Sequence, residues 1–351
     1  MRTFRIAVVV SLALAVGQQS SAQDLTTSLL ERYLEALRQQ AGIPGMSAAV
    51  VQDGRVVWKK GFGFQNVERL VRAMPDTPYP VTHLSQTFAA TVLLRHCVDE
   101  GYLEVTDRMR RWVSEYPDQT ITVGDVLRHV STTGTYDYNP SRYETLAGVF
   151  EQCANGKYPM KLTGQLLDPL GMTATVPGEN LADRTLPAPD RLLYPAARLR
   201  QYGEVLARMA TPYKVDSRGR PTPTSFVAKP LTTSGGIVST VEDLARFDRV
   251  LTLRADGGVV SPDTLNFAWH RAGSLPTGLG WFVQTYNEQR LVWHFGMEKD
   301  AYSSLIVKVP EKDLTFILLA NSDGLSAPYS LEDGDVTKSL FAQVFLKLFI
   351  P

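Results

Sequence analysis

The sequence predicts an α+β fold: one antiparallel sheet assembled from both chain ends and flanked by helices, with a helical lobe inserted between the halves. Three observations carry that expectation. β-Rich runs occupy residues 46–63 near one end and 279–320 near the other. A long block of helix-like pieces, punctuated by Pro and Gly, lies between them. Helical patterns open and close the chain, so the order is helix, hairpin, helical block, antiparallel run, helix.

Residues 26–41 (TTSLLERYLEALRQQA) place leucines at helical spacing and end at Gly42, which predicts an amphipathic helix. Two β-rich runs follow, 46–52 (MSAAVVQ) and 55–63 (RVVWKKGFG), and Asp53-Gly54 between them predicts a hairpin. Pro75, Pro78 and Pro80 mark an extended connection. From Leu84 to Glu100 the pattern is helical and stops at Gly101. Helix-like pieces continue over 122–130, 143–155, 159–168 and 196–210, and the polar, proline-rich stretch 214–230 reads as a surface crossing. A helix is expected over 239–251, where STVED supplies an N-cap and an acidic first turn. Strands are expected at 279–286, 290–295, 302–309 and 314–320, and a last helix at 335–349. The expected organisation is a signal segment over 1–22, an α/β lobe from 23–80 and 231–351, and a helical lobe over 81–230.

Composition excludes several function classes. Lys plus Arg (36) balances Asp plus Glu (36) and no stretch concentrates the basic residues, so no nucleic-acid partner is expected. A hydrophobic fraction of 44% excludes a disordered chain, and 2 Cys exclude both a disulfide scaffold and a Cys-rich zinc module. Arg2 and Arg5 precede an apolar run from Ile6 to Val16, and Ser20 and Ala22 are small residues before Gln23. That is the pattern of a cleaved secretory signal, which predicts a secreted or periplasmic protein. No later apolar stretch approaches ~20 residues, so no stable membrane span is expected after cleavage. Export permits a Cys97–Cys153 disulfide, with two buried free thiols as the equal alternative.

Several segments then carry a resemblance. TPYPVTHLSQTFAATVLLRHCVDEGYLEVTDRM (77–109) is similar to the active-site strand-to-helix segment of the serine β-lactamase-related family. That family includes class C β-lactamases, D,D-peptidases and esterases sharing one penicillin-recognising fold. ITVGDVLRHVSTTG (121–134), LLDPLGMTATVPG (166–178), SGGIVSTVEDLARFDRVL (234–251), GLGWFVQTY (278–286), LVWHFG (291–296) and SSLIVKVPEKDLTFILLANSD (303–323) extend the resemblance in the family's order.

The resemblance implies acyl transfer through Ser-x-x-Lys, where a serine opening a helix is activated by the lysine one turn later. Lining up Thr87-Phe88 with the family's Thr-Phe puts His83 at the nucleophile position and Gln86 at the base position, and Ser-x-x-Lys occurs nowhere in the chain. Tyr138 matches the family's proton-relay tyrosine, with Pro140 where an Asn is usual. His294-Phe295-Gly296 matches the His-x-Gly variant of the edge strand, and the backbone N–H groups of His83 and Met297 are the implied oxyanion donors.

Magnitudes decide what these replacements do. A glutamine cannot accept a proton as an amine does, so general-base assistance of roughly 10²–10⁴-fold is lost. Removing the nucleophile of such a set costs on the order of 10⁶ in rate. The expected protein is therefore inactive or very weak in acyl transfer, with a pocket left for a small acyl, amide or peptide ligand and no metal or cofactor. The alternative is an active esterase or amide hydrolase with a centre rebuilt from His83, Tyr138 and His294. Ser85 is an unsuitable substitute nucleophile, because two residues along a helix turn it ~200° from position 83. His83 is expected to be a polar filler hydrogen-bonded to Tyr138 or Gln86. His129 is expected to buttress the loop below the site, His96 to lie mid-helix, and His270 to be on the surface. Trp281, Phe282, Tyr286 and Trp293 read as sheet packing.

Overall fold

The computed structural model describes residues 24–185, 189–253 and 258–351. The expected signal segment, 1–22, lies outside them. Twelve strands form in chain order: β1 (Gly45–Gln52), β2 (Arg55–Asn66), β3 (Val71–Arg72), β4 (Tyr79–Pro80), β5 (Val176–Pro177) and β6 (Tyr213–Val215). There follow β7 (Pro221–Pro223), β8 (Ile237–Ser239), β9 (Phe282–Tyr286), β10 (Gln289–Glu298), β11 (Tyr302–Val309) and β12 (Leu314–Ala320). The helices are α1 (24–40), α2 (Ser85–Leu93), α3 (Met109–Trp112), α4 (Val123–Leu127), α5 (Pro140–Glu144) and α6 (Leu146–Cys153). The remainder are α7 (Tyr158–Leu162), α8 (Ala196–Ala207), α9 (Val241–Asp248), α10 (Pro262–Ala268) and α11 (Leu340–Phe349).

The main sheet runs β3-β2-β1-β12-β11-β10-β9, so β12 from the C-terminal part pairs with β1 from the N-terminal part, as the pattern predicts. Asp53 and Gly54 both take positive φ (52° and 70°), the requirement of a type I′ hairpin turn. Side chains alternate between the faces. Met46, Ala48, Val50, Leu305, Phe316 and Leu318 pack with residues of α1 and α11, whereas Ala49, Val51, Ile306, Ile317 and Leu319 face α2 and α9.

Boundaries shift from the sequence reading where local chemistry intervenes. The cap of α9 is Thr240, whose side chain accepts from the Asp243 N–H, one residue beyond the expected Ser239. The helix over 84–100 is α2 followed by a π-helical turn at Leu94–Val98. The crossing at 214–230 contains the β6–β7 hairpin, tied to the sheet by the Tyr213 N–H to the Asn321 carbonyl (2.9 Å). Cys97 and Cys153 are joined as a disulfide, which resolves the alternative left open above.

The central helix sets the terms of the site. Every residue of α2 is buried, with Phe88 stacked on Phe247 at 4.0 Å. Burying each such ring stabilises by about 1.5–3 kcal/mol. Gly280 allows the close approach: a Cβ there would stand 2.3 Å from the Ala90 Cβ. Ser85, Gln86, Thr87 and Thr91 are buried with the helix, and each polar group must therefore find a partner inside.

Candidate active site

The chain enters the site from β4, held by the Val81 N–H to the Ile237 carbonyl at 2.9 Å. Thr82 then takes φ +51°, a left-handed conformation unfavourable for a β-branched residue. Strain at such a position costs of order 1–3 kcal/mol and is often found at functional sites. A 3₁₀ turn over Thr82–Leu84 follows and α2 begins at Ser85. The turn places His83 at a cavity wall and directs Gln86 inward. Ser85 is fully buried, its Oγ accepting from the Ile237 N–H at 3.4 Å, so it does not reach the cavity as a nucleophile.

Gln86 is the centre of a buried polar cluster. Its Oε1 lies 3.0 Å from His129 Nε2 and 3.2 Å from His294 Nε2, and its Nε2 donates to Ser234 Oγ at 3.0 Å. The Tyr143 hydroxyl donates to the Gln86 carbonyl at 3.2 Å. His129 gets there because α4 ends in a left-handed residue, His129 itself (φ +56°). Its role is thus more direct than the loop buttress the sequence suggests. Its Nδ1 accepts from the Asn139 N–H (3.1 Å), so its Nε2 carries the hydrogen donated to Gln86.

His294 is placed differently. Its Nδ1 lies 2.8 Å from the Phe295 carbonyl and must donate there, which leaves Nε2 as a lone pair facing the Gln86 oxygen. Turning the amide over would satisfy His294 but set the amide N–H against the His129 N–H. No orientation of a carboxamide suits both rings. A neutral amine at position 86 would suit both, since it accepts one hydrogen bond and donates two. Burial drives the His294 imidazole down to about 3 and lowers His129 well below its ordinary value, so both rings are neutral at pH 7.

Tyr138 packs its ring 4.6 Å from His129 and 5.4 Å from Phe295. Among the described residues its hydroxyl is buried without a hydrogen-bond partner, and burial pushes it well above the usual phenol range, so it keeps its proton. Asn139 uses its side chain to cap α5, accepting from the Arg142 N–H at 2.8 Å, and Pro140 occupies the first position of that helix. From His294 to Glu298 strand β10 has no partner on the β9 side, which puts Gly296 and Met297 on a free edge beside the Thr82–Leu84 turn. Gly296 is required there: a Cβ would lie 2.1 Å from Thr82 Oγ1 and 2.3 Å from the Val81 carbonyl.

His83 does not act as the expected polar filler. Its ring meets Tyr138 at 6.2 Å, edge to face, and among the described residues it hydrogen-bonds to neither Tyr138 nor Gln86, because His129 and His294 occupy that amide. It lines instead a cavity of about 290 Å³ shared with Thr82, Glu144, Glu179, Phe226, Lys229 and Glu298. Burial, with Lys229 nearby, lowers the imidazole to about 4. Glu179 is 7% exposed and its carboxylate accepts from the Lys229 N–H at 2.8 Å; burial holds it up to about 7. Lys229 forms an ion pair with Glu298.

Sequence reasoning missed Glu179, Lys229 and Glu298. They come from the loop after β5, the crossing after β7 and the end of β10, and no spacing links them. Of the remaining residues singled out, Trp293 and Phe282 stack at 4.4 Å within the sheet core, as expected. His96 lies in the π-helical turn and His270 is exposed, its Nδ1 against the Asn266 carbonyl. Among the described residues, no group of His, Cys, Asp or Glu is arranged to hold a metal ion.

Comparison with known proteins fits this geometry. A family profile described as Beta-lactamase matches residues 30–335. The Flp protein of Staphylococcus aureus strain N315 is 22% identical over 86% of this chain, which spans 64% of that relative's length. The octameric penicillin-binding protein homologue from Pyrococcus abyssi superposes with a TM-score of 0.70 at 20% identity, over 92% of this chain and 77% of that one. A class C beta-lactamase superposes with a TM-score of 0.68 at 18% identity, over 92% of this chain and 96% of that one.

Proposed function

The chain belongs to the beta-lactamase family, and we propose that it binds a small acyl, amide or peptide ligand beside His83 without turning it over by serine acyl transfer. The observation that carries this reading is the engagement of Gln86. An amide whose oxygen faces two imidazoles and whose nitrogen serves Ser234 has no means of taking a proton from position 83. Position 83 itself bears no hydroxyl, and Ser85 is turned onto Ile237. The cavity beside His83 is retained, with a charged and polar wall.

Labelling with a fluorophosphonate or a penicillin tests the reading. Intact mass should be unchanged after hours with excess reagent; a covalent adduct at any residue of this site would overturn it.

A second reading has one observation in its favour: His83 presents to the cavity a neutral imidazole that makes no hydrogen bond among the described residues. It would draw a proton from water as that water attacks an ester carbonyl. An imidazole lowered to about 4 is a weak base for this task. Turnover of p-nitrophenyl acetate lost in His83→Ala but kept in Ser85→Ala would establish it; equal rates in wild type and His83→Ala remove it.

Export belongs to the same proposal. The signal-like residues 1–22 and the Cys97–Cys153 disulfide support it, since such bonds persist in oxidising compartments. Among the described residues no helix is long and apolar enough to cross a membrane. N-terminal sequencing of the exported protein should begin at Gln23.

A further inference from the structure

The cavity beside His83 carries a charge pattern that neither the family motifs nor the proposed loss of turnover explains. Its wall includes the carboxyl groups of Glu144, Glu179 and Glu298 and one lysine, Lys229, whose ammonium is already paired with Glu298. Phe226 adds an aromatic face, held edge-on to Tyr302 at 5.0 Å. One further group on the wall, the His83 imidazole, makes no side-chain hydrogen bond among the described residues.

The geometry points to this cavity as the binding site of a small primary amine in its ammonium form, with Glu179 as the anchoring carboxylate and Glu144 and Glu298 as flanking charge. This rests on the cavity being a ligand site and adds the sign of the ligand's charge. An ammonium supplies the donors that a carboxylate and a neutral imidazole can each accept. The face of Phe226 favours a cation as well. An anionic ligand would meet like charge on three sides, with the lysine already engaged.

Binding should be linked to the Glu179 proton. The groups facing that carboxyl are Lys229, through its backbone N–H and its ammonium, Glu298, and the phenol of Tyr302, with His83 and Glu144 elsewhere on the same wall. Its ionisation lies near 7 because burial outweighs the help from Lys229. A bound ammonium favours the carboxylate, so binding expels the proton and affinity rises with pH through that range.

Calorimetric titration of the full chain with benzylammonium, benzyl alcohol and benzoate tests the assignment. Benzylammonium should bind about tenfold more tightly at pH 8 than at pH 6, and benzoate should not compete. Glu179→Gln should weaken the amine by roughly tenfold to a hundredfold and flatten the pH dependence. Lys229→Met, at an exposed position that is safe for folding, should instead tighten it by removing a like charge. Benzoate or benzyl alcohol binding as well as the amine would overturn the inference while leaving a ligand site in place. Amine affinity unmoved by both variants, or no binding by any of the three probes, would also overturn it. Covalent labelling remains the separate failure of the loss-of-turnover reading.

Discussion

One turn of helix separates two polar environments. Around Gln86 the groups are buried and uncharged: His129, Ser234 and the Tyr143 hydroxyl are hydrogen-bonded to it, and His294 sets a lone pair against its oxygen. Around His83 they face open space and carry charge: Glu179, Lys229, Glu298 and Glu144. The first environment has turned the family's base position into a structural tie. The second retains an open, charged cavity whose acids are held by Lys229 and Thr232. On the proposed reading, reactivity and binding are separable, and substitutions on the two sides should respond differently.

The largest effect is expected from restoring the replaced pair. His83→Ser with Gln86→Lys should raise p-nitrophenyl acetate hydrolysis by at least ~10²-fold, the low end of general-base assistance. His294 and Ser234 can each accept a hydrogen from such an amine, whose lone pair must turn from the His129 N–H to the new serine to act as base. No gain in rate would mean that Pro140 and the protonated phenol of Tyr138 have closed the relay, and the two environments would then be less separable than drawn.

Next in size is Gln86→Leu, which leaves the His129 N–H and the Ser234 hydroxyl without their partner in the interior. Urea unfolding should show a loss of about 2–4 kcal/mol. A loss under 1 kcal/mol would show that the network is incidental to the fold. Gly296→Ala, at the junction of the two environments, forces its Cβ onto Thr82 Oγ1 and the Val81 carbonyl and should cost about 1–3 kcal/mol in the same assay.

Acid should discriminate between folded and unfolded chains through the buried imidazoles. His83 and His294 ionise near 4 and 3 in the folded protein, and His129 is also lowered, all chiefly by burial. In the unfolded chain each returns to ~6.5 and binds a proton more readily. Stability present above pH 6.5 should thus be lost as pH falls towards 4, by about 1.4 kcal/mol per histidine per pH unit. A flat stability profile between pH 7 and 5 would contradict the neutral network. The smallest effect is expected from His83→Ala, under ~1 kcal/mol, because that ring makes no hydrogen bond to lose.

Much of the fold was legible before any coordinates. Asp53-Gly54 named its hairpin because two successive positive φ values suit so few residue pairs. The β-rich runs at 302–309 and 314–320 form the expected strands, which the packing then buries on both faces. The π-helical turn at Leu94–Val98 was not legible, since it preserves the apolar spacing of an ordinary helix. In the site, positions 83, 86, 138, 294 and 296 were identified through local motifs, because the strand-to-helix turn and the edge strand impose spacings along the chain. His129 was undervalued because its direction depends on a left-handed backbone at the end of α4.

The residues alone, lined up through Thr87-Phe88, led to the expectation that an imidazole and a carboxamide stand at the family's reactive positions. That much is a matter of identity, readable wherever neighbours in sequence are neighbours in the motif. Only the tertiary structure decided that the carboxamide is consumed by two histidines while the imidazole is left facing Glu179 and Lys229. Those partners arrive from loops and strand ends distant in the chain, and their pairing is set by packing, burial and the direction of each backbone, none of which a local pattern encodes.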